Sequence, residues 1–143
     1  TPKPSSAASD VYKRQVAEYV TFTGALDPHA LANRYAGVHL GLGSLGFHRT
    51  GVSYAEPLKH REFMFYGLPF VYSVEDAFSK ATLPGTWMLA ADDSPVDLIS
   101  LYQEYKKINV DEVAQSLQKY AENNYSWERQ TAHILQTMRD TNL

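Results

Sequence analysis

The sequence predicts an α/β fold, a parallel sheet with flanking helices, and three observations carry that reading. Short runs rich in β-branched and aromatic residues alternate with helical stretches of about ten residues. The run 68–73 (LPFVYS) is apolar and bounded by turn residues, the pattern of a strand buried on both faces. With 143 residues, of which 44% are hydrophobic and 20% charged, the chain is long and apolar enough for one domain with its own core. Strands joined by helices run parallel, and such sheets bind ligands beyond the carboxyl ends of their strands. The loops after Thr23, Gly43, Ser73 and Ala91 therefore come first in any search for a site.

Taken in order, 19–23 (YVTFT) reads as a strand ending at Gly24. Asp27 and Pro28 start a helix that carries Leu31 and Tyr35 on one face and stops at Gly37. A second strand, 38–43, enters a Gly-rich loop over 44–55. Pro57 opens a helix to about residue 66, closed by Gly67, and the apolar strand 68–73 follows. Residues 74–81 form a short helix or loop, Pro84-Gly85 a turn, and 86–91 the last strand of about four. Asp92, Asp93 and Ser94 offer cap acceptors before a helix with Leu98, Leu101, Tyr102 and Tyr105 as its core stripe. Asn109 with Glu112 resembles a capping box for a helix with the stripe Val113, Leu117 and Tyr120, broken at Asn123-Asn124. Ser126 caps the final helix, whose apolar face is Trp127, Ile134, Leu135 and Met138.

Composition narrows the function. The formal charge of −3 leaves no basic surplus for nucleic acid. The absence of cysteine removes disulfides, thiolate metal sites and thiol nucleophiles. No run of about 18 apolar residues is present to span a membrane. The expected location is the cytoplasm, or peripherally the inner face of the membrane. His29, His39, His48, His60 and His133 form no two-histidine helical pair, so no metal site is expected. Ser44 lacks the nucleophile-elbow context of a hydrolase. Glu75 and Asp76 follow a strand and could touch a ligand, but a helix-capping role is at least as well supported, and for Asp92 and Asp93 after the last strand capping is again favoured. Residues 1–15 are polar and patternless, and SSAASDVYKRQ resembles a translated sequencing-adapter tail. They are set aside as a non-native or disordered tail, which leaves 16–143 as a partial domain whose natural chain would continue upstream.

The loop after Gly43 is the richest in chemistry. Its glycines let main-chain amides approach an anion, and the Pro57 helix presents its positive end and free N–H groups to a phosphate. Lys59 in the first turn adds a charge, and Glu62, five residues after Pro57, can accept hydrogen bonds from ribose hydroxyls. His48 and Arg49 share the loop and read either as surface polarity or as contacts to donor phosphate or sugar.

The string PLKHREFMFYGLPFVYS is similar to the donor-site signature of GT-B glycosyltransferases, especially family four and its bacterial polysaccharide relatives. GLGSLGFHRTG resembles the Gly-rich loop of the same relatives, and the likeness covers about residues 19–91. The resemblance implies a Rossmann-like C-terminal half of a two-domain enzyme. It also implies transfer of a hexose from a UDP- or GDP-linked donor to a saccharide or lipid-linked acceptor, with retention, no metal and no cofactor. By the same resemblance Glu62 matches the second Glu of the E-x7-E motif, which binds the donor ribose. Pro57, Leu58 and Lys59 match the segment facing the diphosphate, with Gly46, His48 and Arg49 in the preceding loop. The first Glu of the motif falls on Tyr54, so either Glu56 stands in for it or the loop is shifted. The acceptor domain and further phosphate ligands belong to the part expected upstream, so no turnover is expected from this chain alone. Three rivals remain: a sugar-nucleotide epimerase of the same build, a flavodoxin-like regulatory domain, and a non-catalytic relative.

Overall fold

The computed structural model describes residues 18–141, and the expected tail at 1–15 lies outside the described residues. The chain divides into two compact units, Thr1–Asn33 and Arg34–Leu143. In the first, 20–26 form no strand, and Tyr19 and Phe22 are exposed, which corrects the strand expected at 19–23. β-Branched and aromatic residues favour a strand only where a neighbouring strand supplies the ladder and a surface to pack on. Asp27 does act as a cap. Its Oδ1 accepts the Ala30 N–H at 2.9 Å, and helix α1 (Pro28–Tyr35) follows.

The second unit contains a three-stranded parallel sheet with flanking helices. Its strands are β1 (Gly41–Leu42), β2 (Phe70–Tyr72) and β3 (Thr86–Met88), in spatial order β1-β2-β3, with Gly41 opposite Phe70 and Phe70 opposite Thr86. Helix α2 (Leu58–Phe65) connects β1 to β2, and a 3-10 turn (Ser79–Ala81) lies between β2 and β3. Helices α3 (Leu98–Tyr105), α4 (Val110–Tyr125) and α5 (Trp127–Asp140) follow. Three strands therefore stand, among the described residues, where four were expected, each shorter than its apolar run. The central strand β2 is buried along its whole length, as the unbroken apolar run demands.

The core joins Phe63 and Met64 of α2, Phe70 and Tyr72 of β2, Phe78, and Val113, Leu117 and Ala121 of α4. Gly67 ends α2 with φ +66°, a conformation that suits glycine. A Cβ there would lie 2.7 Å from Ala114 Cβ, so the same glycine lets α4 pack closely. Asn109 caps α4 as expected: Oδ1 accepts the N–H groups of Asp111 and Glu112, and Nδ2 donates to Glu112 Oε1 at 2.9 Å.

Several expectations for the helices give way. Asn123 and Asn124 do not break α4, because Asn124 Nδ2 donates to the Tyr120 carbonyl at 2.8 Å and the helix runs on to Tyr125. The cap of α3 is Asp97, whose Oδ1 accepts the N–H groups of Ile99 and Ser100, and not the Asp92–Ser94 group. Of the expected core stripe of α3 only Leu101 is buried, while Leu98 is 68% and Tyr102 58% exposed. Tyr105 and Tyr120 are half-buried. The α5 face of Trp127, Ile134, Leu135 and Met138 is exposed. Periodicity shows that a helix has an apolar face but not what covers it. Among the described residues no helix is long and apolar enough to cross a membrane.

Leu117 is fully buried between these layers. Leu117→Ala is expected to lower the unfolding free energy by ~2–5 kcal/mol through lost burial plus a cavity, read as a lower urea midpoint.

Candidate functional site

On α2, residues 60, 61, 63 and 64 face inward, so two polar side chains share the core face with Phe63 and Met64. Both are paired. His60 Nδ1 lies 2.9 Å from Asp76 Oδ2, with both side chains fully buried. Arg61 Nη1 donates to the same oxygen. Asp76 therefore does not cap a helix, one of its two expected roles; it holds a buried ion pair, because a carboxylate in the core must be paired. Burial alone would raise its pKa, but the hydrogen bonds from His60 and Arg61 and the Arg61 charge outweigh burial and hold it below the usual carboxylate value. Arg61 also lies over the Tyr125 ring, 4.5 Å from its centroid, which ties the end of α4 to the same cluster. The Tyr125 phenol is pushed up, chiefly by burial.

The far ends of these side chains reach the loops around the sheet. Arg61 Nη2 donates to Glu56 Oε2 at 2.8 Å, and Tyr54 Oη donates to Glu56 Oε1 at 2.6 Å. The Tyr54 phenol pKa is raised mainly by that bond to Glu56. Glu56 is thus held between Tyr54 and Arg61, whose cation it shares with Asp76. Tyr54 also forms a single parallel bridge with Glu75, whose backbone bonds with Ser53 and Ala55. At the end of β1, Lys59 Nζ donates to the Gly43 carbonyl at 3.2 Å and the Ser44 N–H donates to His60 Nε2 at 3.1 Å. These two bonds place the first turn of α2 beside the carboxyl end of β1. No side chain caps α2 at Pro57, so its positive end carries no internal anion in cap position.

Beyond the strand ends lies a cleft of about 270 Å³, lined by residues that include Gly46, His48, Arg49, Ser73, Asp92 and Asp93. The 3-10 turn Phe47–Thr50 carries His48 and Arg49 there. Both meet Asp93, His48 Nε2 at 2.9 Å and Arg49 Nε at 2.7 Å. These bonds, His48 first, hold the Asp93 carboxyl below its ordinary pKa. Asp93 is thus the counter-ion of the loop, neither a cap nor a free acid. Asp92 turns on itself, accepting from the N–H and hydroxyl of Ser94.

The residues singled out from sequence fall into three places. Gly46, His48 and Arg49 line the cleft; Tyr54 and Glu56 cluster with Arg61; Leu58, Lys59 and Glu62 are exposed on α2, Glu62 lying four residues after Leu58 and three after Lys59. Glu62 stands beside Tyr35, whose phenol pKa is raised by burial first and by the Glu62 charge second. Arg61 and the buried role of Asp76 were not foreseen. The pattern of α2 gives little signal, because its apolar residues define no clear face; only the folded packing turns His60 and Arg61 inward. Among the described residues no group of three or more His, Asp or Glu is placed to hold a metal ion. Fold and cleft together define a small α/β unit with a polar hollow at its strand ends. No family model, curated protein or solved structure matches the chain.

Two outcomes test this geometry. Asp76 is ionised more readily folded than unfolded, so its contribution is full above about pH 4 and is lost as pH falls through the lower folded pKa. Urea midpoints should fall over that acid range in wild type and less steeply in Asp76→Asn, which is itself expected to be ~3–5 kcal/mol less stable at pH 7 because Arg61 loses its buried partner. A Cβ at Gly43 would lie 2.6 Å from His60 Nε2 and 2.7 Å from the Val71 carbonyl. Gly43→Ala should therefore cost ~1–3 kcal/mol in the same assay.

Proposed function

We propose that the chain is the donor-binding part of a GT-B glycosyltransferase of the family-four kind, with a Rossmann-like sheet, and that it binds the nucleoside diphosphate of a UDP- or GDP-hexose. The observation that carries this reading is the junction of β1 and α2. The first turn of α2, uncapped by any side chain, lies against the end of β1, with Lys59 and Glu62 on one exposed face beside it. Main-chain N–H groups and Lys59 would take the diphosphate, and Glu62 the ribose hydroxyls. Glu56, the carboxylate nearest that helix mouth in sequence, is held by Tyr54 and by Arg61, a cation it shares with Asp76. His48 and Arg49 are held by an exposed Asp93, so phosphate oxygens can replace that carboxylate at small cost. Transfer itself needs an acceptor, saccharide or lipid-linked, presented by a second domain of the enzyme. The leaving diphosphate would be stabilised by amides, helix end and basic side chains without a metal.

One observation favours a non-catalytic relative as the second reading. Tyr54 stands where the signature has its sugar-contacting Glu, and Glu56 is already engaged by Tyr54 and Arg61.

Calorimetric titration of the chain with UDP, GDP and a UDP-hexose tests both. Measurable binding is expected, weakened about tenfold in Lys59→Ala and in Glu62→Ala. Binding untouched by both substitutions removes α2 from the site. A UDP-hexose that binds no better than UDP favours the non-catalytic reading.

A further inference from the structure

We infer that His60 is a positioning residue: as the neutral tautomer with its proton on Nδ1, it holds the Ser44 N–H and thereby the turn that carries Gly46, His48 and Arg49 to the cleft. The tautomer follows from donors and acceptors. A main-chain N–H can only donate, and that of Ser44 points at His60 Nε2 at 3.1 Å, so Nε2 carries a lone pair. The ring proton is then on Nδ1, 2.9 Å from Asp76 Oδ2, which accepts it. A doubly protonated ring would set N–H against N–H at Ser44. Nor is a ring charge needed, because Arg61 already supplies the cation for Asp76. The charged groups bonded to the cluster are Asp76, Arg61 and, through Arg61, Glu56; the ring's other neighbours are Phe70, stacked at 5.5 Å, and Tyr72 and Phe78, edge-on at 5.7 and 5.9 Å.

The ring is therefore fixed in plane and in protonation, and what it fixes is a peptide. Ser44 is tied at both ends: its N–H to His60, and its carbonyl to the N–H and hydroxyl of Ser73 at 3.1 and 3.3 Å. Gly43 permits the approach, since any Cβ there would strike the imidazole. The path of the chain out of β1 is set by these bonds, two residues before Gly46. That the turn serves a sugar-nucleotide donor rests on the function proposed above; the hold of His60 on Ser44 does not.

Nitrogen-15 NMR of the labelled full chain at pH 7 reads the ring directly. The expected result is a protonated Nδ1 and an unprotonated Nε2 for His60; the opposite tautomer or a doubly protonated ring overturns the inference. Amide exchange at Ser44 supplies the second readout. It should be about tenfold faster in His60→Phe, which keeps the ring but offers no acceptor, and near the wild-type rate in His60→Gln, whose Oε1 can accept the same N–H. Unchanged exchange in His60→Phe overturns the inference; if that variant fails to fold, the wild-type tautomer still decides. UDP and GDP titrations of the same proteins separate the two claims. With tautomer and exchange as expected, absence of nucleotide binding to wild type sinks the donor reading and leaves His60 standing. Equal nucleotide affinity in wild type and in a folded His60→Phe with a freed Ser44 sinks the positioning role.

Discussion

A single buried carboxylate decides how three segments of this chain meet. Asp76 leaves the end of β2 and takes hydrogen bonds from His60 and Arg61, neighbours on the inward face of α2. An ionised acid in an apolar interior is tolerable only when paired and hydrogen-bonded. The pairing therefore commits α2 to one rotation about its axis and one height above the sheet. His60 passes the constraint on to the exit of β1, and Arg61 passes it to Glu56 and to Tyr125 at the end of α4. Around this centre lie the aromatic side chains of Phe70, Tyr72 and Phe78, which exclude water and make the pairing matter more.

The consequence for function is a division of labour on α2. Its inward residues organise the loops, while its outward residues, Leu58, Lys59 and Glu62, face solvent beside the helix mouth. In the cleft beyond the strands, Asp93 meets His48 and Arg49 through exposed contacts.

How much of this was legible depends on how local each feature is. Gly67 as a stop, Asn109 and Ser126 as caps and the buried run of β2 each depend on a few adjacent residues, and all stand where the sequence puts them. The strand expected at 19–23 and the core role of Leu98 and Tyr102 required partners that sequence pattern does not name. The same holds at the site. Lys59 and Glu62 lie exposed on the helix after Pro57, where the sequence places them. Asp76 pairs with Arg61 and Asp93 with Arg49 across 15 and 44 residues of chain, and in sequence both acids read foremost as helix caps.

The amino-acid sequence by itself determined the α/β class, the parallel sense of its strands and the helix that begins just after Pro57. Each of these follows from hydrophobic period, turn residues and backbone preferences, which act over a few positions. Only the tertiary structure decided that His60 and Arg61 point inward onto Asp76, that Glu56 is held by Arg61, and that Asp93 guards the cleft. A buried charge finds its partner through space, and the distance between two side chains in a folded core is set by packing and not by their separation along the chain.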